Sequence, residues 1–217
     1  MIKILSNFFI IISVFACGRV QAVGTPSGIY AISSTPDAKL DYRKIYLTTN
    51  GMSVNGFFDN PYTRPAVDHP DDDPTCHFFV SGEFHVDEIK LDTWFPDKET
   101  GKLDSGSPIF LKKKEDKWIV SLGDDLPNCD IPTIDSGDSV SFATAKPWVG
   151  FAYINTSKAE LYAEPNDANR TKGYLIHYDV VAVIKREGDW SSIEYLENGS
   201  KSVRWIKNKD IIFTDRK

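Results

Sequence analysis

The chain has 217 residues, and its 31 acidic residues outnumber its 25 basic residues, giving a formal net charge of −6 at pH 7. An acidic balance disfavours nucleic acid and anionic membrane surfaces as partners, because both carry negative charge themselves. It suits either a solvated surface or a basic protein partner.

The first 22 residues have the pattern of a secretory signal peptide. Lys3 precedes an uncharged run from Ile4 to Ala16, and the segment ends at the cleavage-type triplet "VQA". A helix that spans a bilayer needs about 20 apolar residues, and this run is shorter. No other segment is apolar enough, so no membrane span is expected. The pattern predicts export to the periplasm of a Gram-negative bacterium. A lipid anchor at Cys17 in "VFAC", as in an outer-membrane lipoprotein, is the alternative.

Removal of the signal segment leaves two cysteines, Cys76 and Cys129. An even number of cysteines in an exported chain indicates a disulfide. Closing a loop of this length stabilises the folded state by about 3–4 kcal/mol in the chain-entropy account. A catalytic thiol or a metal ligand is the weaker alternative, because it would leave the second cysteine without a partner.

From residue 23 onwards the pattern is that of an all-β protein. Short runs rich in Ile, Val, Phe, Tyr and Trp end at Gly, Asn, Asp or Pro, which is typical of strands and turns. No window has the i, i+3, i+4, i+7 spacing of a long helix. We therefore predict a β-sandwich or barrel of about seven to nine strands over 23–146, held together by the cysteine pair. The clearest predicted strands are "GIYAIS", "KIYLTTNG", "CHFFVSGEF", "EIKLDTWF", "SPIFLKK" and "KWIVSLG".

An acidic, proline-rich segment interrupts these strands at "DNPYTRPAVDHPDDDPTCH". Asp71, Asp72 and Asp73 concentrate its charge and are candidate binding residues. Aspartates bind calcium, but the segment lacks the D-x-D-x-D-G spacing that orients them, and its histidines lack a defined zinc geometry. No metal or other cofactor is therefore assigned. The remaining interpretations are a solvated loop stiffened by proline and a docking loop for a basic partner.

The sequence pattern changes at "ATAKPWVG", residues 143–150, from irregular loops with both cysteines to regularly spaced strands. This change indicates a boundary between two domains. Pro147 and Gly150 flank a tryptophan there, and regularly spaced strands follow over 147–217. In "VVAVI", residues 180–184, both alternating faces are apolar, so this strand is predicted to be central in its sheet. Gly188 and Asp189 then supply the tight turn of a hairpin.

Three stretches of this second part follow one another in a recognisable order: "AELYAEP", "YLIHYDVVAVIKREGDW" and "SVRWIKNKDI". In that order they resemble the opening strand, the central strand with its turn and tryptophan, and the closing segment with one helical turn of a bacterial SH3 domain (the SH3b type). The resemblance covers about a third of the chain. The chain departs from the family at two positions where glycine is usual. Tyr178 occupies one, and Arg204, which directly precedes Trp205, occupies the other. We expect Arg204 to fill or reshape the binding groove.

The resemblance implies a small SH3-like barrel that binds peptidoglycan peptides or other proteins through a shallow aromatic groove. We expect Tyr162 to be the most exposed contact, because it lies beside the charged "EPND" loop. A barrel this small holds few large side chains, so one of its two tryptophans is expected in the core. The candidate contact residues are Tyr162, Tyr174, Trp190, Tyr195 and Trp205.

Sequence motifs for catalysis are absent: there is no G-x-S-x-G, H-E-x-x-H, phosphate-binding glycine loop or C-x-x-C. His85, which alternates with Phe84 and Val86, is interpreted as a structural residue of a strand. We therefore expect a non-catalytic protein, namely an inhibitor or immunity protein that binds and blocks a cell-wall-degrading enzyme or toxin. The alternatives are an envelope module that binds peptidoglycan and a cell-wall hydrolase whose paired carboxylates meet only in space.

Overall fold

The computed structural model describes residues 25–34, 43–60, 76–96, 103–124, 126, 134–196 and 202–215. Within these ranges the protein is all-β, as predicted, and its only helical segments are two 3-10 turns at Asp167–Asn169 and Asn208–Asp210. The second turn lies in the closing segment, where the sequence predicts a helical turn. None of these ranges contains a helix long and apolar enough to cross a bilayer.

Nine strands form the first sheet of the described chain: β1 (Gly28–Ser33), β2 (Lys44–Asn50), β3 (Ser53–Asn60), β4 (Cys76–His85), β5 (Glu88–Pro96), β6 (Leu103–Ser105), β7 (Ile109–Lys114), β8 (Lys117–Leu122) and β9 (Ser139–Ala145). Eight of them close into an antiparallel barrel in the order β1-β2-β3-β4-β5-β7-β8-β9, and β9 returns to β1. The short β6 extends this sheet beside β5. Of the two architectures predicted here, the barrel is therefore the correct one.

Apolar side chains fill the interior of this barrel. Successive residues of a strand point to opposite faces, so one residue in two contributes to the filling. An eight-stranded barrel is just wide enough for its own side chains to fill it. The members of this core are at most 3% exposed: Tyr30, Ile32, Ile45, Leu47, Val54, Phe58, Cys76, Phe78, Val80, Ile89, Leu91, Phe95, Ile109, Leu111, Val120, Ile134 and Val140.

Cys76 begins β4 and belongs to this interior core. Its predicted partner, Cys129, lies outside the described residues, so the disulfide stays a prediction. The predicted signal segment 1–22 with Cys17, and the acidic segment 61–75 with Asp71, Asp72 and Asp73, also lie outside the described residues.

A buried ion pair lies at the end of the barrel where β1 ends. Arg43 directly precedes β2, Asp138 directly precedes β9, and Nη1 of the arginine lies 2.7 Å from Oδ2 of the aspartate. Arg43 also donates to Oγ of Ser34 at 2.6 Å, and Asp138 accepts the backbone N–H of Asp135 at 2.8 Å. The pair therefore ties the β1–β2 connection to the β8–β9 connection.

Seven strands form the second sheet of the described chain: β10 (Gly150–Ile154), β11 (Ala159–Tyr162), β12 (Arg170–Leu175), β13 (Val180–Glu187), β14 (Trp190–Tyr195), β15 (Val203–Lys207) and β16 (Ile211–Phe213). Their order is β12-β11-β15-β14-β13-β10-β16. The central position predicted for β13 is confirmed, because Val181 and Val183 join this sheet's own core while Val180 and Ala182 face the barrel. Gly188, at φ +56°, turns β13 into β14.

An aromatic cluster, here called the seam, packs the second sheet against the outside of the barrel. The rings of Phe79 and Tyr153 lie 5.7 Å apart across it, and Trp148 lies 5.9 Å from Tyr46. Its buried members are Tyr46, Phe57 and Phe79 from the barrel, Trp148 from the connection, and Phe151, Tyr153, Val180 and Ala182 from the second sheet.

The change of sheet falls between Ala145 and Gly150, inside the predicted boundary segment. Trp148 in that connection is only 3% exposed, and its Nε1 donates to Oε2 of Glu194 at 2.8 Å. Nζ of Lys146 lies 2.5 Å from the other oxygen of Glu194. The connection is thus bound to β14, and the division into domains 23–146 and 147–217 stays a prediction.

Tyr178 adopts a left-handed backbone conformation, with φ +72°. This is the position where the resemblance places glycine, and a residue with a Cβ costs about 1–2 kcal/mol there. The Tyr178 ring stacks on His177 at 3.9 Å and on Tyr153 of the seam at 6.3 Å. Packing at the edge of the seam therefore offsets the backbone strain.

The buried ion pair is tested by Asp138→Ala. This change leaves the Arg43 charge buried without its partner, so we expect the free energy of unfolding in urea to fall by about 3–5 kcal/mol. Glu160→Ala is the matched control, since it breaks the exposed Arg170–Glu160 pair and should cost about 1 kcal/mol or less. Equal losses in the two variants would contradict the role of the buried pair.

The strain at Tyr178 is tested by comparing Tyr178→Gly with Tyr178→Ala. Both variants lose the ring contacts, but only alanine keeps the penalty for positive φ. We expect Tyr178→Ala to be less stable than Tyr178→Gly by about 1 kcal/mol in denaturant unfolding. An alanine variant as stable as the glycine variant would show that the backbone there is unstrained.

Candidate functional site

A shallow groove of about 350 Å³ opens on the second sheet, between the β11–β12 hairpin and strands β14 and β15. The hairpin is locked locally, because Oγ1 of Thr171 donates to the backbone oxygen of Leu161 at 2.9 Å and accepts the N–H of Gly173 at 3.2 Å. Small residues on β12 leave the groove open. Its lining residues are Leu161, Thr171, Gly173, Tyr174, Leu175, Ile193, Tyr195, Ser202 and Arg204.

Two of the predicted aromatic contacts meet in this groove. Tyr174 is 54% exposed on β12, and Nζ of Lys158 lies 4.8 Å from the centre of its ring. Tyr195 is half-buried on β14, where it packs against the sheet's own core. The groove therefore has an exposed aromatic rim at Tyr174 and an aromatic wall at Tyr195 that packs against the core.

Arg204, one of the two departures from the family pattern, lines this groove. It lies opposite Ile193 in the β14–β15 register. Its Nη1 donates to the backbone oxygen of Val203 at 2.8 Å, and no carboxylate of the described residues pairs with it. A guanidinium always carries its charge and binds carboxylates through two parallel hydrogen bonds, so the groove offers a donor for an anionic group.

The other three predicted contacts lie away from this groove, on the opposite face of the sheet. In the β-sheet register Trp205 faces Tyr162 and Ser192, and Trp190 faces Lys207. Both tryptophans are half-buried, so neither is the fully buried core residue expected for one of them. The five predicted aromatic residues thus divide into two sets.

The expectation that Tyr162 is the most exposed contact is wrong, because this side chain is only 5% exposed. Strand β11 lies between β12 and β15, so neighbours flank it on both sides. The ring of Tyr162 packs edge-on against Trp190 at 4.8 Å, and Nζ of Lys207 lies 5.6 Å from its centre. Tyr162 is therefore a packing residue.

Lys207 and Asp167 form a charged pair over these two rings. Nζ of Lys207 lies 2.5 Å from Oδ1 of Asp167 and 5.3 Å from the centre of the Trp190 ring. Asp167 is positioned by its own 3-10 turn, which Asn166 caps by accepting the N–H groups of Ala168 and Asn169. The hydrogen bond that Lys207 donates to the Asp167 carboxylate raises the pKa of Lys207.

Sequence reasoning missed several groove residues, among them Leu161, Thr171 and Gly173. The available signal is the run of small and polar residues before Tyr174 in "RTKGY". The described residues contain no group of three or more His, Cys, Asp or Glu side chains that could hold a metal ion.

No family model, curated protein or solved structure matches this chain. The resemblance to SH3b domains stays a prediction made from residue order. Functional assignment therefore depends on the chemistry of the groove and of the surfaces around it.

The Lys207–Asp167 pair is tested by Asp167→Asn. Lys207 should titrate above its ordinary range in the native protein, and its pKa should fall in the variant because the main hydrogen-bond partner loses its charge. Because the pKa of Lys207 is higher in the folded state, the pair stabilises the folded protein fully at pH values below the unfolded pKa of about 10.4. This stabilisation is lost as the pH rises through the folded-state pKa. Carbon-13 NMR of the lysine Cε resonances measures this, with Asp210→Asn as the control expected to shift less. An unchanged Lys207 titration in Asp167→Asn would contradict the pairing.

Proposed function

We propose that this protein is an exported, non-catalytic binding protein that holds a short anionic peptide in the groove of its second sheet. One observation carries the proposal: the Arg204 guanidinium lines an apolar, tyrosine-flanked groove and has no carboxylate partner among the described residues. Arginine in such surroundings favours a ligand that brings a carboxylate.

The size and lining of the groove fit a short extended ligand. Its volume of about 350 Å³ is at the small end of ligand pockets. Leu161, Leu175 and Ile193 supply the apolar contacts, and tyrosine supplies a large amphipathic surface with few rotatable bonds. A peptide of a few residues with a free carboxylate matches both features.

The surface around the groove supports the same ligand class. Tyr174, which lines the groove, is 54% exposed and offers a large aromatic contact surface at its rim. Lys158 lies at the Tyr174 ring, and Lys172 is exposed on β12. These lysines place two positive charges near Tyr174 on a chain that is acidic as a whole.

Peptidoglycan stem peptides are the ligand class that we propose, because they are short, extended and carry free carboxylates. The SH3b resemblance supports this choice, since that family implies attachment to peptidoglycan peptides. The predicted signal segment supports it as well, because export brings the chain to the cell wall. The disulfide between Cys76 and Cys129 belongs to the same proposal, as an adaptation to an oxidising compartment.

An inhibitor or immunity protein is the second candidate, and the net charge of −6 favours it. A basic cell-wall-degrading enzyme or toxin would be attracted to an acidic partner over a distance. A protein complex of standard size buries about 800 Å² on each partner, which exceeds the groove and would recruit additional surface. Inhibition of a purified cell-wall hydrolase at stoichiometric concentrations would favour this candidate, and release of wall fragments by the protein itself would contradict both.

The proposed site is tested by Arg204→Ala in calorimetric titration with a soluble peptidoglycan stem peptide. Loss of a charge-assisted hydrogen bond costs about 1.5–3 kcal/mol, so we expect binding about 10-fold to 100-fold weaker. Arg204→Lys should recover part of the affinity, because it keeps the charge but not the paired geometry. Lys209→Ala, which removes an exposed cation from the second 3-10 turn, is the matched control and should bind as the native protein does. Native affinity in Arg204→Ala would overturn the proposal.

A further inference from the structure

A second groove, of about 400 Å³, lies on the outside of the barrel across β3, β4 and β5. Its lining differs in kind from the groove of the second sheet, since every side chain in it is polar or charged. His85, interpreted from the sequence as a structural residue, is exposed at its end. The lining residues are Ser53, Asn55, Ser81, Gly82, Glu83, His85, Lys90 and Asp92.

The lining side chains form two rows that the sheet register fixes. Ser53, Glu83 and Lys90 are direct cross-strand partners, and they make the outer row. The inner row lies two residues further along each strand, about 6.6–7 Å away. It consists of Asn55, Ser81 and Asp92. Rigid strands therefore hold hydroxyl, amide, carboxylate and ammonium groups in a regular array.

A third row borders this array on the side of the seam. Trp94 lies two residues beyond Asp92 on β5 and faces Phe79, a buried member of the seam. Its Nε1 donates to Oγ of Ser81 at 2.9 Å, and the side chain is half-buried. The tryptophan thus fixes the orientation of a hydroxyl that lines the groove, and an aromatic residue adjoins the polar array.

Lys90 and Asp92 form an ion pair in the groove, with Nζ 3.5 Å from Oδ1. Nε2 of His85 also lies 3.8 Å from Oε2 of Glu83, a contact that is an ion pair only when the imidazole is protonated. An anionic ligand would have to compete with Asp92 for Lys90. A neutral ligand rich in hydroxyl groups would instead add to these contacts, because each hydroxyl both donates and accepts hydrogen bonds.

We propose that this groove is a binding site for a neutral saccharide. Asn55 and Asp92 accept hydrogen bonds from vicinal hydroxyls, while Lys90, Ser53 and the amide of Asn55 donate to them. The strands preorganise these groups, so few side chains lose freedom when the ligand binds. The site lies on the other sheet from Arg204, and the proposal does not depend on the peptide groove.

The test uses cellotriose and tri-N-acetylchitotriose as neutral probes, with amide NMR spectra of the full chain. We expect saturable shifts at Asn55, Ser81, Glu83 and Asp92 with a Kd of about 1 mM, typical of a shallow polar site. Asp92→Ala and Asn55→Ala should each weaken binding about tenfold, as loss of one hydrogen bond of about 1.4 kcal/mol predicts. Lys113→Ala, an exposed change on β7 outside the groove, is the control and should leave binding unchanged.

Two results would overturn the proposal. One is the absence of shifts in the groove with both neutral probes at about 10 mM, tenfold above the expected Kd. The other is stronger binding of a uronic-acid trisaccharide than of either neutral trisaccharide, since that would show recognition of charge. Native-like dispersion of the amide spectra confirms that each variant is folded before its affinity is compared.

Discussion

The aromatic seam is the contact on which the arrangement of the molecule depends. Rings from β2, β3 and β4 meet Phe151 and Tyr153 of β10, with Trp148 between them. Trp148 directly follows Pro147, and its indole is bound by Glu194 of β14. Burial raises the pKa of Tyr46 in this cluster, a charge on Asp59 raises it further, and the ring therefore stays neutral. The second sheet is consequently covered on its seam face and presents its groove elsewhere.

A filled barrel directs function to the outer surfaces. The interior core is at most 3% exposed and contains four aromatic side chains, Tyr30, Phe58, Phe78 and Phe95. The two proposed binding grooves instead lie where strands project polar or mixed side chains outwards. One combines tyrosines with a guanidinium that has no carboxylate partner among the described residues, and the other arranges polar groups in rows. We therefore propose a different ligand for each surface, an anionic peptide for the first and a neutral saccharide for the second.

Local patterns predicted much of the fold, whereas long-range pairing was beyond them. "GIYAIS" coincides with β1, and the two apolar faces of "VVAVI" correctly predict a strand between two cores. Strand β3 is not among the clearest predicted strands, and its Asn55-Gly56 has the composition of a turn. A Cβ at Gly56 would lie 2.5 Å from the backbone oxygen of Tyr46, so glycine allows close packing there. Closure of β9 onto β1 joins distant segments and has no local signal. The alternation of side chains along a strand likewise could not predict the exposure of Tyr162. That exposure depends on β15 and Lys207, which come more than forty residues later in the chain and cover it.

We propose that this protein acts through a static binding surface on its second sheet. The most direct test of this proposal is amide NMR mapping of the full chain titrated with a soluble stem peptide. We expect shift changes at groove residues of β12, β14 and β15, with none at inward-facing residues of the barrel and no cleavage of the peptide during the titration. Changes centred on the barrel interior, or loss of intact peptide with time, would contradict the account.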